Sequence, residues 1–525
     1  MDLRSKRIVG IAQMILLAAM LVLYTRIGGM GMIYVAGSME LFFVVTYLFL
    51  GGIPDTMEYM IRIRRKREQD KDAANVWKAG AIYGVFAIVL AEIALVLVNE
   101  LLVGRTDLLY VDKLLELLML AVPFLGVLQV LRGIVQAEFD KMMTGISQLV
   151  FVICMVIGTV VSGFILGEYG AKVANLMQSV GLEHFYVVIG LVPGVIIGAV
   201  GAIIFLAVIS LAHREQMTIF DCEPGVAKES LPKLCMELFA SQAAEVVVPC
   251  LKHVPILVLL WLSLGESAGE NYLFGNFYGA VLPVFGLAWT LLDLGLVSYK
   301  RRLYIAYRKK QHEQFYRDLK TILCYTALHS VAIFAFTLAL HKSYLAIWDL
   351  QTFTSFMELA MVSSVIGLLG LPCMVLEDVL KYRGLQSQVV VSVLAGTIIG
   401  IIGSIICFKY AGAGTMLYVL GIGLQLAATI IVAAWHVSSV VGIYYMSVLI
   451  RTGASLVLSL VIALVLYGVQ RLIFTALGGL ATLLICILIG AVLQNLAIIA
   501  LHVFDKDEQG NLPLAFLTKG LTKFF

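Results

Sequence analysis

Charged side chains are scarce in this 525-residue chain. Asp, Glu, Lys and Arg make up 14% of it against 61% hydrophobic residues, and the mean hydropathy is +0.98. A soluble domain carries about 25% charged residues on average, so this shortage excludes a soluble globular protein. The chain also lacks P-loop, H-E-x-x-H and G-x-S-x-G motifs and a long extramembrane loop. We therefore expect no enzymatic activity, such as that of a membrane glycosyltransferase.

Cysteine pairs are missing as well. The eight cysteines form no C-x-x-C motif, and all lie in predicted spans or cytoplasmic loops. This distribution predicts neither a disulfide framework nor a zinc site. We expect no metal or organic cofactor, although a coupling H⁺ or Na⁺ remains open.

The chain does contain fourteen long apolar segments. Each is about as long as the 20 residues that a helix needs to cross a bilayer. The predicted spans are 8–27, 32–60, 78–103, 111–134, 142–167, 185–211, 231–263, 271–297, 319–341, 352–378, 387–408, 412–436, 446–469 and 478–502. Of the 37 Lys and Arg residues, 29 lie on the side shared by both termini and seven on the other. The positive-inside rule therefore predicts a multi-pass plasma-membrane protein with both termini in the cytoplasm. The net charge of +3 reflects this orientation and contact with membrane lipids, and predicts no nucleic-acid partner.

An internal repeat links the two halves of the chain. Four charges recur with the same sign at one constant offset: Asp55, Arg62, Arg64 and Lys71, then Asp293, Lys300, Arg302 and Lys309. Ser147-Gln148 and Ser387-Gln388 repeat at a similar offset. Both sets indicate parallel repeats. We predict six-helix lobes at 1–220 and 221–440, followed by two appended helices and a cytoplasmic tail at 441–525.

Several short motifs resemble those of a known family. They are Thr25 to Gly28 with Gly31 to Tyr34, Gly52-Ile53-Pro54, Arg132 to Ala137, and Ile146-Ser147-Gln148. These motifs resemble the polysaccharide-exporter branch of the multidrug/oligosaccharidyl-lipid/polysaccharide (MOP) superfamily. That branch includes O-antigen flippases, the lipid II flippase and the stage V sporulation protein B group, and the last two match fourteen spans best.

The resemblance implies an all-α, V-shaped MATE-like fold. Two lobes would rock about a cavity lined by spans one, two, seven and eight, and would carry a lipid-linked sugar headgroup across the membrane. The implied partners are an undecaprenyl-type lipid-linked glycan and the machinery of glycan synthesis.

Span seven carries the predicted substrate site. At about 100° per residue, Gln242, Glu245, Pro249, Lys252 and His253 form one polar stripe on an apolar helix. An ionised side chain near the bilayer centre costs about 3 kcal/mol, so we expect the stripe to face a water-filled cavity. Lys252 would attract a diphosphate or an acidic sugar, and Glu245 would pair with it or exchange H⁺ or Na⁺. A fixed interhelical ion pair is the open alternative.

Other polar residues on the cavity-lining spans are further candidates. These are Gln13, Arg26, Glu40 and Asn276. Each of them could instead form an interhelical hydrogen bond. The Arg26 side chain could also extend to the lipid headgroups. His253 could either bind and release a proton or serve only as a packing residue.

The repeated charges predict an inner gate. Asp55 with Arg62, and Asp293 with Lys300, would close the two lobes on the cytoplasmic side. The alternative is a positive-inside cluster with a local acidic partner.

Two other functions remain open at this stage. An ion-coupled multidrug or cation antiporter of the multidrug and toxin extrusion branch is favoured by Glu245 and Glu358, although span one holds no carboxylate. Lipid II flippases carry inward-facing arginines on spans one, two and eight, so the resemblance disfavours lipid II as the substrate here, where span eight holds no interior arginine. A non-transporting scaffold of a secretion complex is disfavoured by the stripe on span seven.

Overall fold

The described part of the chain is helical throughout. The computed structural model describes residues 3–103, 109–217, 229–264, 273–351, 354–410, 416–442, 445–500 and 504. The α-helices are Leu3–Thr46, Ile53–Lys66, Asp70–Val98, Leu109–Met119, Val122–Glu138, Lys141–Met177, Val180–Ile189, Leu191–Ala212, Leu231–Leu264, Leu282–Arg308, His312–Leu345, Thr354–Tyr382, Gln386–Tyr410, Met416–Val441 and Tyr445–Ala500. Short π-helices lie at Tyr47–Gly51, Asn99–Val103 and Phe277–Val281. The all-α prediction is confirmed.

The helices account for all fourteen predicted spans. By length and composition, ten helices can cross a membrane, or up to twelve if each of two bent pairs counts as one span. Two of the ten, Arg4–Lys66 and Leu456–Ile499, are too long for one crossing. Each is broken at a glycine with positive φ, at Gly28 (φ 60°) and at Gly478 (φ 74°). Glycine adopts this conformation at little cost, so each of these helices is two spans joined at the break.

Two compact units divide the chain, Asp2–Gly279 and Ala280–Phe525. The first contains spans one to seven and the first turns of span eight. The predicted lobe boundary at 220/221 lies outside the described residues. The division into 1–220, 221–440 and 441–525 therefore stays a prediction, as does the position of the tail.

The helices pack through small residues and leave large apolar side chains outside. In the first unit, Ala199 and Ala202 of span six pack on Leu128 and Val135 of span four. Outward-facing side chains include Ile165, which is 66% exposed. Lipid tails are as apolar as leucine, so helices in a membrane associate through close packing and hydrogen bonds. This distribution is the one expected when lipid surrounds the protein.

The appended spans thirteen and fourteen pack against span nine in the second unit. Leu466 and Cys486 share a buried cluster with Ala335 of span nine. The Gln470 amide and the Ser343 hydroxyl hydrogen-bond at 2.6 Å. The appended spans are therefore an integral layer of this unit.

Span seven is bent. The axes of Leu231–Ala243 and Glu245–Leu260 differ by 41°, and Pro249 and Pro255 lie inside the helix. A proline clashes with the carbonyl four residues earlier, and for Pro249 that residue is Glu245. The bend therefore lies at Glu245, within the polar stripe and four residues before Pro249.

Candidate functional site

Glu40 of span two is a buried carboxylate bonded from two other helices. Its side chain is only 8% exposed. His253 Nδ1 of span seven lies 2.5 Å from Glu40 Oε2, and the Tyr278 hydroxyl of span eight donates to Oε1 at 2.7 Å. Both oxygens of one carboxylate are thus held by helices far away in sequence. We call Glu40, His253 and Tyr278 the Glu40 cluster.

His253 links this cluster to its surroundings. Its ring packs on Phe43, with centroids 4.5 Å apart, and 32% of its side chain is exposed. When Glu40 is ionised, the hydrogen bond requires a proton on His253 Nδ1. The Glu40 cluster therefore holds a carboxylate and an imidazole in direct contact inside the spans.

Span eight reaches the cluster because glycine lies where it crosses the start of span two. A Cβ on Gly275 would lie 1.9 Å from the Gly29 carbonyl oxygen, so no other residue fits at 275 without moving the helices apart. The π-helix Phe277–Val281 follows and carries Tyr278. Single π-turns occur often at functional sites. This turn aims the Tyr278 hydroxyl at Glu40.

Asn276 comes directly after the glycine at this crossing and joins span eight to span one. It is 2% exposed, and its Oδ1 accepts a hydrogen bond from the Tyr24 hydroxyl. The contact satisfies a polar group that would otherwise be costly in the membrane interior. The structure thus shows the interhelical bond, while the role of Asn276 in a cavity stays a prediction.

Gln242 ties span seven to an irregular turn of span two. Its amide donates to the carbonyls of Leu48 (3.1 Å) and Phe49 (2.6 Å) within the π-helix Tyr47–Gly51. Gly52 follows, and a Cβ there would come within 2.6 Å of Gln242 Cγ. The Gly52-Ile53-Pro54 motif therefore begins where span seven packs tightly against span two.

The predicted stripe on span seven has two edges. Gln242 and His253 pack toward span two, whereas Glu245 is exposed and Lys252 is half-buried. Glu245 and Lys252 lie about 80° around the helix from Gln242 and His253. Gln242 and His253 thus form the edge that bonds span two, and Glu245 and Lys252 form a second edge. That this second edge faces an aqueous cavity stays a prediction.

The two remaining candidates lie on span one and are exposed. Gln13 is in the first half of the span. Arg26 is at its far end, with its Cζ 5.5 Å from the centre of the Phe164 ring. Neither belongs to the Glu40 cluster.

At the Arg-rich end of span two, the predicted gate residues are bonded within the first unit. The Asp55 carboxylate accepts from Gln136 (2.7 Å) and Lys141 (2.9 Å). Arg62 pairs with Glu58 at 3.0 Å, and Glu58 also pairs with Lys141 at 3.0 Å. These contacts are the local acidic and basic partners expected if the charges form a positive-inside cluster. The gate between lobes stays a prediction.

The same end of span two is bonded to the start of span seven. The Arg64 guanidinium donates to Glu229 (2.5 Å) and to Glu237 (2.6 Å), and only 5% of its side chain is exposed. The backbone N–H of Glu229 donates to Asp72 at 3.0 Å. Spans two, three and seven are therefore joined there by charge-assisted bonds.

Acid is expected to weaken this junction. Glu229 lies before span seven begins, and the hydrogen bond from Arg64 holds the pKa of its carboxyl below the usual value of 4.5. A lowered folded-state pKa contributes stability above the unfolded pKa, and that stability is lost as the pH falls through the folded-state value. Thermal unfolding measured from pH 7 to pH 3 should show a smaller acid loss in Glu229→Gln than in the wild type. Glu68→Gln, at an exposed site, should keep the wild-type slope, and an unchanged slope in Glu229→Gln would contradict the assignment.

In the second unit, the predicted gate pair belongs to a charge triad in which the lysine is buried and the two carboxylates are partly exposed. Lys300 is 1% exposed and bonds Asp293 and, at 2.6 Å, Asp378 of span ten. In the first unit, Arg65 bonds Glu138 of span four. Glu138 and Asp378 are separated by the same number of residues as the repeated Ser-Gln pair. In each unit, a carboxylate at the end of one span therefore bonds a basic side chain near the Arg-rich end of another span.

Sequence reasoning missed several of these residues, although some carried a signal. Tyr278 follows Glu40 at the same offset that relates the repeated charges. Asp378 likewise follows Glu138 at the offset of the repeated Ser-Gln pair. No local pattern pointed to Lys141 or Glu229 as partners, because both precede their spans. Among the described residues, no group of three or more His, Cys, Asp and Glu side chains is placed to hold a metal ion.

Comparisons with known proteins identify the fold. No protein-family model matches the chain, and no curated protein matches its sequence. Among solved structures, the lipid II flippase MurJ in an inward closed conformation has a TM-score of 0.62 and 13% identity, covering 94% of this chain and 97% of that one. An inward-facing MATE family transporter of the MOP superfamily has a TM-score of 0.58 and 14% identity, with coverage of 82% and 95%. A MOP superfamily transporter from Pyrococcus furiosus has a TM-score of 0.54 and 13% identity, with coverage of 85% and 98%.

At these identities the likeness shows the fold. The chain has the helical fold shared by MATE transporters and the lipid II flippase, as the sequence predicted. The match includes both branches and does not select between them.

Proposed function

We propose that this protein carries an undecaprenyl-type lipid-linked glycan across the plasma membrane by alternating access, with both termini in the cytoplasm. The observation that carries the proposal is the Glu40 cluster. It holds three titratable side chains inside the spans of a chain with a transporter fold. Ionisable groups inside a membrane are costly and mark transport pathways or proton relays by default.

The extent of the structural match supports the glycan substrate. Residues 441–525 are about a sixth of the chain, and a match over 94% of it must include much of this region. The structure that matches over 94% of the chain is a lipid II flippase, whereas two MATE transporters match over 82% and 88% of it. Spans thirteen and fourteen are packed into the second unit of this chain. We therefore take the proposed substrate class from the flippase branch.

The two edges of span seven suggest a division of labour. Lys252 and Glu245, on the second edge, would meet the substrate: the ammonium would attract the diphosphate, and the carboxylate would neutralise it between cycles. His253, on the packed edge, bonds Glu40 and would couple protonation to the contact between spans two and seven. A change in protonation at His253 would then move span seven and so change the position of Lys252 and Glu245.

An ion-coupled multidrug or cation antiporter is the second candidate. The same carboxylate–imidazole pair favours it, because a proton site serves an antiporter as well as a flippase. The MATE matches support it equally in fold. Only the cargo separates the two functions.

Reconstitution in vesicles tests the cargo. Purified full-length protein is placed in liposomes with a fluorescent undecaprenyl diphosphate-linked glycan, and headgroup accessibility to an external quencher reports flipping. We expect flipping by the wild type and a loss of at least about tenfold in Lys252→Ala, because one charge-assisted contact of about 1.5 kcal/mol is removed.

Lys342→Ala is the matched control, since Lys342 is a lysine at the end of span nine that lies over the Phe474 ring. It should flip at the wild-type rate. Unchanged flipping by Lys252→Ala at equal expression would remove Lys252 from the substrate role. Efflux of a labelled cation down a proton gradient, with no headgroup movement, would favour the antiporter.

A further inference from the structure

A groove on the outside of the first unit leads from Arg26 toward the middle of the membrane. It lies between span one, from Leu16 to Arg26, and span five, from Met155 to Phe164, with span six as its floor. Its volume is about 260 Å³. The lining is apolar except for Thr159 and, at the rim, Thr25 and Arg26. The groove is thus an apolar channel with one cationic side chain, Arg26, at its rim.

Spans five and six approach each other very closely beside the groove. A Cβ on Gly190 of span six would lie 2.5 Å from the Gly163 backbone nitrogen. Small residues allow such close approach of two helix backbones in a membrane. Val160 and Phe164 line the groove and remain 42% and 57% exposed.

The length of the groove matches one leaflet. Ten residues separate Leu16 from Arg26, which at 1.5 Å per residue is about 15 Å. The hydrocarbon core is about 30 Å thick, so the groove runs about halfway through it. By the predicted topology, Arg26 lies at the outer surface. An extended lipid chain of the outer leaflet therefore fits along the groove with its phosphate beside Arg26.

Arg26 is chemically suited to that phosphate. Its guanidinium contacts the Phe164 ring, and among the described residues it makes no ion pair. A planar guanidinium binds phosphate oxygens through two parallel hydrogen bonds. Bilayer chains are as apolar as the groove, so burial alone gives no preference for a particular lipid. Selectivity must come from the fit of the chain and from the charge on Arg26.

We propose that this groove is a binding site for one anionic phospholipid of the outer leaflet, with one acyl chain in the groove and its phosphate on Arg26. The site lies on the lipid-facing side of spans one, five and six, apart from the Glu40 cluster. It does not depend on the proposed cargo.

Native mass spectrometry of the full-length protein tests this site. The protein is released from nanodiscs that contain equal amounts of phosphatidylglycerol and phosphatidylcholine. The wild type should retain one phosphatidylglycerol, and Arg26→Gln should reduce that occupancy roughly tenfold. Val160→Trp, which fills the groove and keeps Arg26, should also remove the bound lipid.

Two matched controls separate the site from general lipid contact. Arg471→Gln removes an arginine that is also on the predicted outer side, and Ile204→Trp enlarges an exposed side chain of span six outside the groove. Both should retain the lipid. Equal occupancy in Arg26→Gln and the wild type, or in Val160→Trp and the wild type, overturns the proposal. It is also overturned if added undecaprenyl diphosphate displaces phosphatidylglycerol at equimolar concentration, because the groove would then belong to a polyprenyl lipid.

Discussion

Lys300→Ala is expected to destabilise the protein by about 3 kcal/mol or more. Lys300 is 1% exposed and bonds Asp293 and Asp378, so its removal leaves two carboxylates side by side with no base between them. Breaking a buried ion pair from one side typically costs about 3–5 kcal/mol, since an uncompensated charge stays behind. Thermal unfolding of the purified protein in detergent measures the loss.

The control for this prediction lies at the end of the same helix. Lys309→Ala removes an exposed lysine and should change stability by less than about 0.5 kcal/mol. A triple variant, Lys300→Met with Asp293→Asn and Asp378→Asn, removes all three charges and should recover most of the loss. Equal stability of Lys300→Ala and Lys309→Ala would show that the triad is not a structural charge cluster.

Glu40→Gln is expected to abolish proton-dependent transport while the protein still folds. The amide keeps the shape of the carboxylate and can still accept the Tyr278 hydroxyl bond, but it cannot exchange a proton with His253. In vesicles with an imposed pH gradient, flipping by Glu40→Gln should fall by at least about tenfold and become independent of pH, because one side of the proton site is lost. The measurement is the rate of headgroup movement across a pH series.

Tyr278→Phe is the matched control for the Glu40 cluster. It removes one hydrogen bond to Glu40 but leaves the carboxylate–imidazole pair, so the pH profile should keep its shape at a moderately lower rate. A Glu40→Gln variant with the wild-type pH profile would rule out this pair as the proton site. A pH-independent wild type that still flips would reject proton coupling but leave the flippase intact.

The class of fold was open to prediction because it rests on local sequence. Runs of about 20 apolar residues must form helices in lipid, where every backbone group needs a partner within its own segment. The break at Gly28 comes one residue after the predicted end of span one, and the break at Gly478 comes at the predicted start of span fourteen. The π-helices were not predicted, since nothing in Tyr47–Gly51 or Phe277–Val281 departs from an ordinary apolar helix.

The candidate site was predicted in part. Gln242, Glu245, Lys252 and His253 were predicted as site residues because a polar stripe repeats at the helical period, and the structure shows interhelical bonds for Gln242 and His253. Glu40 was found only as an isolated carboxylate, and its partners were not assigned. The sequence pattern did not show that the polar residues of the stripe lie on two different edges of the helix. A small rotation about the helix axis decides which polar side chains contact span two, and that rotation cannot be read without the neighbouring helix.

The sequence by itself determined that this chain is a helical membrane protein with fourteen segments of spanning length and a repeated pattern of charges, because helix length and hydropathy depend only on consecutive residues. The tertiary structure alone decided which polar groups meet. Glu40 is separated from His253 by 213 residues and from Tyr278 by 238. Their meeting depends on how far each helix is rotated and how closely Gly275 lets span eight approach span two, and both are set by packing between helices.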